Sequence, residues 1–341
     1  MTWKTILFTV LLLALFPHPR LFAETSPREA NQAKWLGWQF QWENDGDVFS
    51  VGTDKYYTNG VHYSWLRHPD YNGVWIDRLE DWWCRRFCKR DPITTFAVTL
   101  GQDLYTPEDI ESPEPVPGDR PYAALLYGNF HLAVMNERRD VMQHFELLVG
   151  FIGPAASGQF VQRWGHEFFN SALARGWDHQ LAFEPAVNLS YLSRQRIHNR
   201  KQTIDFVTHT GAAFGNVTIK AHGGATMRVG KNISSFPPLD VLTVAVPAED
   251  RKPWEVYLFG SFDGRLVLHN LFLDGNTLRD SPDVDKNIFV YDLRAGLLVR
   301  YRDFQVHFSL VRRSKGFEPP PGSGDGRHVF RSLTFSLVRG F

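Results

Sequence analysis

Residues 328–341 read HVFRSLTFSLVRGF, and this C-terminal segment decides the fold class. Apolar side chains fall on one face and small or polar ones on the other: Val329, Leu333, Phe335, Leu337 and Phe341 against Ser332, Thr334, Ser336 and Gly340. Alternation with period two predicts a β-strand. A soluble sandwich would bury the apolar face under a second sheet, whereas a transmembrane barrel turns it to lipid and keeps the polar face inside.

The same alternation recurs along the chain. In 58–65 it sets Val61, Tyr63 and Trp65 against Thr58, Gly60, His62 and Ser64, the polar face expected toward the lumen. His62 and His144 are lumen candidates for members of a hydrogen-bond network. Strands are predicted near 36–46, 56–68, 94–105, 121–136, 140–152, 182–196, 203–214, 217–230, 254–272, 287–301, 303–314 and 328–341. An even count of about twelve is typical of single-chain bacterial barrels. The sequence therefore predicts an all-β fold, a transmembrane up-and-down antiparallel β-barrel.

The N-terminus predicts export. Lys4 precedes an almost unbroken apolar run at 6–16, which is too short for a membrane-spanning helix and typical of a signal peptide. We expect cleavage after Ala23, leaving a signal peptide at 1–23 and a barrel domain at 24–341. An uncleaved N-terminal anchor is the alternative.

Export and a barrel together predict the bacterial outer membrane. Phe341 resembles the terminal recognition signal of outer-membrane barrels, which implies the barrel-assembly machinery as a partner. Lys+Arg and Asp+Glu are equal at 37 each, which argues against nucleic acid as a partner. Whether Cys84 and Cys88 form a disulfide stays open, because their spacing is tight for one.

With both termini in the periplasm, the connections from odd to even strands are extracellular. The one at 152–182 has a helical pattern from Ser157 to Ala174, which Ser157 can cap and Gly176 can end. We therefore expect a short extracellular loop helix.

This topology brings four unusual polar clusters to the outer end of the barrel. They are Glu43-Asn44-Asp45, Tyr56-Tyr57-Thr58-Asn59-Gly60, the stretch from Gly101-Gln102-Asp103 to Asp119-Arg120-Pro121-Tyr122, and Gln162 with His166 on one helix face. Asp45 has the parity of the lumen and could ligate Ca²⁺, or it is a solvated rim residue in a turn. His166 could be a general base, or a solvated loop histidine.

The sequence has no Gly-x-Ser-x-Gly elbow, His-Glu-x-x-His, P-loop or Cys-x-x-Cys motif. Because no serine nucleophile is evident, a hydrolase here would most simply use a water activated by histidine, with a cation stabilising the oxyanion.

Taken in order, the clusters resemble a known family, the outer-membrane lipid A deacylases that remove the 3′-linked acyloxyacyl chain. Further matching stretches are Leu104-Tyr105-Thr106-Pro107, Ala123, Gly153-Pro154, Gly176-Trp177-Asp178-His179-Gln180-Leu181 and Glu184-Pro185. The resemblance spans nearly the whole mature chain. One departure is Ala124, where many relatives have glycine.

The resemblance implies a twelve-stranded barrel that hydrolyses a lipid A ester with Ca²⁺ as cofactor. Asp45 would be a calcium ligand, and Asn44 and Thr58 would line the metal and oxyanion region. His166 would activate water, as in calcium-dependent phospholipase A2, with Gln162 beside it. Arg120 could contact a lipid A phosphate.

Two other functions stay open from the sequence. An outer-membrane phospholipase would need the same oxyanion chemistry, so only its substrate separates it from a lipid A deacylase. A channel or structural barrel would need no catalytic residues, and a family fold can persist without activity.

Overall fold

The computed structural model describes residues 35–45, 55–67, 78, 93–234, 236, 252–323 and 326–339. The expected signal peptide at 1–23, the cysteines Cys84 and Cys88, and Phe341 lie outside the described residues.

Twelve antiparallel strands close into one barrel, which confirms the predicted fold class. Each strand pairs with its neighbours in the chain, and the first strand pairs with the last. The strands are β1 Trp35–Asn44, β2 Tyr56–Arg67, β3 Ile93–Thr106, β4 Ala123–Met135, β5 Val141–Ile152, β6 Glu184–Arg200, β7 Ile204–Gly215, β8 Thr218–Lys231, β9 Trp254–Asn270, β10 Phe289–Tyr301, β11 Phe304–Arg313 and β12 His328–Val338.

The alternation in the C-terminal strand has the predicted orientation. Ser332, Thr334 and Ser336 are buried on the lumen side of β12. Outward-facing apolar residues elsewhere in the wall are largely uncovered, for example Phe214 at 72% and Leu268 at 68% exposure. A wall of this kind is typical of a barrel surrounded by lipid. Among the described residues, no helix combines the length and apolar character needed to cross a membrane.

Buried carboxylates in the lumen are surrounded by arginines. Asp292 Oδ2 lies 2.5 Å from Arg265 Nη2 and 2.9 Å from Arg313 Nη2. Glu255 accepts hydrogen bonds from Arg300 in the same way. These ion pairs join β10 to its neighbours β9 and β11. Because a buried charge without a partner is costly, they favour the register that keeps the charges paired. Elsewhere in the lumen, Nε2 of His62 lies 2.9 Å from Oδ1 of Asp103.

The rim formed by the end of β1 and the start of β2, opposite the rim where β1 begins and β12 ends, is called the outer rim below. Among the described residues, two α-helices lie in its loops, α1 at Gly158–Phe169 and the single turn α2 at Leu271–Asp274. The loop helix was predicted to run from Ser157 to Ala174, and that length is wrong. Asn170 adopts a left-handed conformation (φ 60°), which ends the helix after Phe169, and the side chain of Ser157 makes no capping hydrogen bond.

Candidate active site

All the predicted site residues lie at the outer rim, but the barrel wall separates them into two groups. Along β1, Glu43 faces the lumen, while Asn44 shares the outward side of Trp42. Asp45 follows on the lumen side and is 1% exposed.

The carboxylate of Asp45 is held by two donors inside the rim. Its Oδ2 lies 2.7 Å from Nε2 of His328 and 3.0 Å from the backbone nitrogen of Lys55. The sequence did not single out His328, because its partner lies at the other end of the chain. Only closure of β12 onto β1 brings the two residues together.

Thr58 was expected on the lumen side with Gly60, and the structure corrects this. The β2–β3 ladder shifts register between Tyr57 and Asn59, so Thr58 lies in a β-bulge where alternation does not hold. Its hydroxyl lies 2.6 Å from that of Thr106. Thr106 has the same parity along β3 as Leu100, which faces outward and is 54% exposed.

The same outward face of β3 carries the loop helix. Gln102 Nε2 donates to the backbone oxygen of Ala156, just before α1, at 2.6 Å. Leu104 packs in one cluster with Ala124, Ala156 and Trp177. The helix α1 therefore lies against the outer wall of the barrel, beside β3 and β4, and not over the lumen.

Glycine at position 158 permits this close approach. A Cβ there would lie 2.5 Å from Cβ of Ala124 and 2.6 Å from the ring of Trp177. The alanine at 124 forms part of this contact. A larger residue at either position would push the first turn of α1 off the wall.

The helix has two opposite faces. Gly158, Gln162 and His166, spaced four residues apart, form its buried face toward the wall. Phe160, 71% exposed, and Trp164, 42% exposed, point the other way. Trp164 also stacks on Phe168, so the outer face of α1 is an aromatic surface.

Gln162 is fixed by a residue whose role the sequence did not reveal. The indole nitrogen of Trp177 donates to Gln162 Oε1 at 2.6 Å, and Trp177 is only 1% exposed. Trp177 lies in the stretch 176–181 that resembles the family, but nothing in that stretch indicated Gln162 as its partner.

The ring of His166 is oriented by its own loop. Because Asn170 reverses the chain, the backbone oxygen of Ala172 comes back to form a short hydrogen bond with Nδ1 of His166. A carbonyl only accepts, so Nδ1 carries the proton, and Nε2 of the neutral ring has the lone pair that a base needs.

Arg120 lies inside the rim, on the other side of the wall from His166. Its guanidinium stacks on Tyr105 at 4.6 Å, and burial lowers its pKa to about 10. Asp119 beside it accepts backbone hydrogen bonds from Glu108 and Arg120, and burial raises the pKa of its carboxyl despite them. Arg120 lines a cavity of about 300 Å³ in the mouth of the lumen and is 8% exposed. This position argues against direct contact with a phosphate in the surrounding lipid.

The oxygen atoms around the start of β2 are of the chemical type that binds a hard cation. The Asp45 carboxylate, the Thr58 hydroxyl and the Thr58 carbonyl are oxygen ligands of the kind that Ca²⁺ takes. The Thr58 carbonyl accepts from Asn44 Nδ2 at 3.3 Å and from the backbone nitrogen of Asp45 at 3.4 Å. The side chains of Asp45 and His166, however, face opposite sides of the wall.

The chain is similar to known outer-membrane proteins. The family model described as outer membrane protein LpxR matches residues 6–337. The structure of LpxR from Salmonella typhimurium superposes with a TM-score of 0.70 at 19% identity, covering 89% of this chain and 99% of that one. The β domain of the Bordetella autotransporter Brka reaches a TM-score of 0.45 at 8% identity, covering 91% of this chain and 100% of its own. No curated protein sequence matches.

Proposed function

The chain belongs to the LpxR outer-membrane protein family, and from this premise we propose that it hydrolyses lipid A, removing the 3′-linked acyloxyacyl chain. The observation that carries the proposal is the position of His166 and Gln162, held between a loop helix and the outer wall of the barrel at its rim.

The position suits a lipid substrate. Lipid A occupies the outer leaflet, so its ester groups lie near the membrane boundary on the extracellular side. A site on the outward face of the wall can receive such a molecule laterally, without passage through the lumen. The exposed aromatics Phe160 and Trp164 on α1 support this, because they suit contact with acyl chains and the interface.

The reaction would proceed by general base catalysis. Nε2 of His166 takes a proton from water, and the resulting hydroxide attacks the ester carbonyl carbon. When the tetrahedral intermediate collapses, the bond to the sugar oxygen breaks and His166 returns its proton to that oxygen. Ala172 holds the ring, and Gln162, fixed by Trp177, lies one helical turn before His166 to orient the base or the substrate.

Calcium is part of the proposal. Thr58 would hold the ion on the outward side of the wall, with Asn44 positioning the Thr58 carbonyl. Asp45 would join as a ligand only by turning its carboxylate away from His328. Bound Ca²⁺ supplies positive charge that stabilises an oxyanion. We assign Arg120 to support of the rim, because it is stacked on Tyr105 inside the barrel.

Mass spectrometry of lipid A after incubation with the purified, folded barrel tests the proposal. We expect loss of one acyloxyacyl unit with calcium and none with chelator, and a much slower loss with His166→Gln. Unchanged lipid A under every condition, with folded protein, would overturn it. Parallel incubation with phospholipid tests for a phospholipase, and conductance in a planar bilayer tests for a channel.

A further inference from the structure

A second group of potential ligands lies in the lumen, away from the outer rim. His131 on β4 lies directly opposite Glu146 on β5, and His144 lies two residues before Glu146 on the same face. Both histidines are buried, with His144 only 1% exposed. These residues lie toward the rim of the chain termini, whereas His166 lies at the outer rim, so this group is not part of the proposed catalytic site.

The three donor atoms form a nearly equilateral triangle. Nδ1 of His131 lies 3.3 Å from Nε2 of His144 and 3.6 Å from Oε1 of Glu146. Nε2 of His144 lies 3.7 Å from the same carboxylate oxygen. Ligands bonded to one tetrahedral ion at Zn²⁺ distances are about 3.4 Å apart, so the triangle has the size of one face of a zinc site.

Hydrogen bonding explains only one side of this triangle, the 3.3 Å contact between the two histidine nitrogens. The two distances from Glu146 to the histidines are longer than a hydrogen bond, although all three groups point at one another. Among the residues that the structure describes, Nδ1 of His144 and Oδ1 of Asn129 are buried without a hydrogen-bond partner.

Outer contacts orient two of the three ligands, His131 and Glu146, as they do in known metal sites. The other ring nitrogen of His131 lies 2.9 Å from the hydroxyl of Thr99, which in turn lies 2.7 Å from that of Ser64. Asn129 donates to the second oxygen of Glu146 at 3.3 Å. With Nε2 of His131 donating to Thr99, Nδ1 keeps its lone pair toward the other two ligands.

One nearby charge opposes a cation. Arg194 on β6 is buried on the same lumen face, two residues along from the partner of His144. The negative charge of Glu146 offsets it in part, and a hydroxide or other anion in the fourth ligand position would offset the rest.

A second cluster in the lumen provides an internal comparison. In it, Oδ1 of Asp263 accepts ordinary hydrogen bonds of 2.8 Å from His209 and 3.0 Å from His222. Arg265 lies 2.6 Å from the other oxygen of that carboxylate. Those contacts already satisfy the carboxylate, and an adjacent guanidinium disfavours a metal ion.

We propose that His131, His144 and Glu146 form a Zn²⁺ site in the lumen, with three protein ligands and an open fourth position. The residue types suit this ion, because two histidines and one glutamate are a recurrent zinc ligand set. The site is independent of the proposed lipid A hydrolysis.

Calorimetric titration of ZnCl₂ into the full barrel, without an affinity tag and stripped of metal, tests the site. We expect one zinc ion per chain. His144→Gln and Glu146→Gln should each weaken binding by more than about 100-fold, and Thr99→Val by about 10- to 100-fold, since it removes only an orienting contact. His222→Gln, in the second cluster, and His166→Gln, at the outer rim, should leave the affinity unchanged.

Absence of stoichiometric binding by the folded wild-type barrel would overturn the proposal, as would undiminished binding in both ligand variants. The wild-type protein loaded with Co²⁺ gives a readout that needs no variant to fold. Intense visible bands of four-coordinate cobalt support the site, and the weak spectrum of six-coordinate cobalt contradicts it.

Discussion

The indole nitrogen of Trp177 lies 2.6 Å from the amide oxygen of Gln162, and this hydrogen bond joins the loop helix to the chain that returns toward β6. Both side chains are almost fully buried, at 1% and 4% exposure. The polar face of α1 is therefore fixed against the outer wall of the barrel before any substrate arrives.

Trp177→Phe tests that role. The ring still packs against Ala124, but Gln162 loses this donor in a buried position, which costs about 1–3 kcal/mol. We expect lower deacylase activity in a barrel that still folds, measured by lipid A mass spectrometry and thermal unfolding. Trp254→Phe, at an exposed tryptophan where β9 begins near the opposite rim, is the matched control. Wild-type activity in Trp177→Phe would show that the bond is dispensable.

His166→Gln should reduce the rate of deacylation by about 10²- to 10⁴-fold, because a general base contributes a factor of this size. The barrel should remain folded, as judged by heat-dependent migration in gel electrophoresis. His198→Gln removes an exposed histidine of β6 near the opposite rim and should leave the rate unchanged. A rate equal to wild type in His166→Gln would exclude this residue as the base.

Calcium removal should abolish deacylation, and added Ca²⁺ should restore it far better than Mg²⁺, which demands a stricter geometry. Asp45→Asn should raise the calcium concentration that gives half-maximal activity. Because Asp45 also bonds His328, the control is His328→Phe, which removes that bond and keeps an aromatic ring beside Phe330. An equal shift in both variants would indicate that Asp45 only supports the rim.

Asp292→Asn should destabilise the barrel, although Asp292 does not contact the proposed catalytic residues. The aspartate is fully buried and contacts Arg265, Arg313 and Arg294, so neutralising it leaves these cations uncompensated. Loss of one partner of a buried ion pair costs about 3–5 kcal/mol, which urea unfolding in detergent or bilayers can measure. The exposed Asp285 provides the control Asp285→Asn. An unchanged unfolding midpoint would show that water reaches the network.

The strands and their faces could be predicted from the sequence because each depends on neighbours in the chain. The alternation of Ser332, Thr334 and Ser336 with apolar residues predicts both the strand and its lumen side. Pairing of every strand with the next follows from the predicted up-and-down topology, and the structure confirms it. The loop helix was predicted at the right place, but its end was not, since a left-handed Asn170 has only a weak sequence signal.

The site was predicted as a set of residues, but not as a geometry. Alternation alone put Thr58 in the lumen, because a β-bulge is invisible to a period-two pattern. Nothing local to Asp45 indicated His328, and nothing local to Gln162 indicated Trp177, because both contacts join distant parts of the chain.

The sequence by itself determined the barrel, its strand number and the rim at which the polar clusters gather, since these depend on local alternation and chain order. Only the tertiary structure decided on which side of the wall each cluster faces. That choice depends on the bulge at Thr58, on the closure of β12 onto β1, and on the packing of Gly158 against Ala124. Contacts between residues far apart in sequence fix all three, so no local pattern records them.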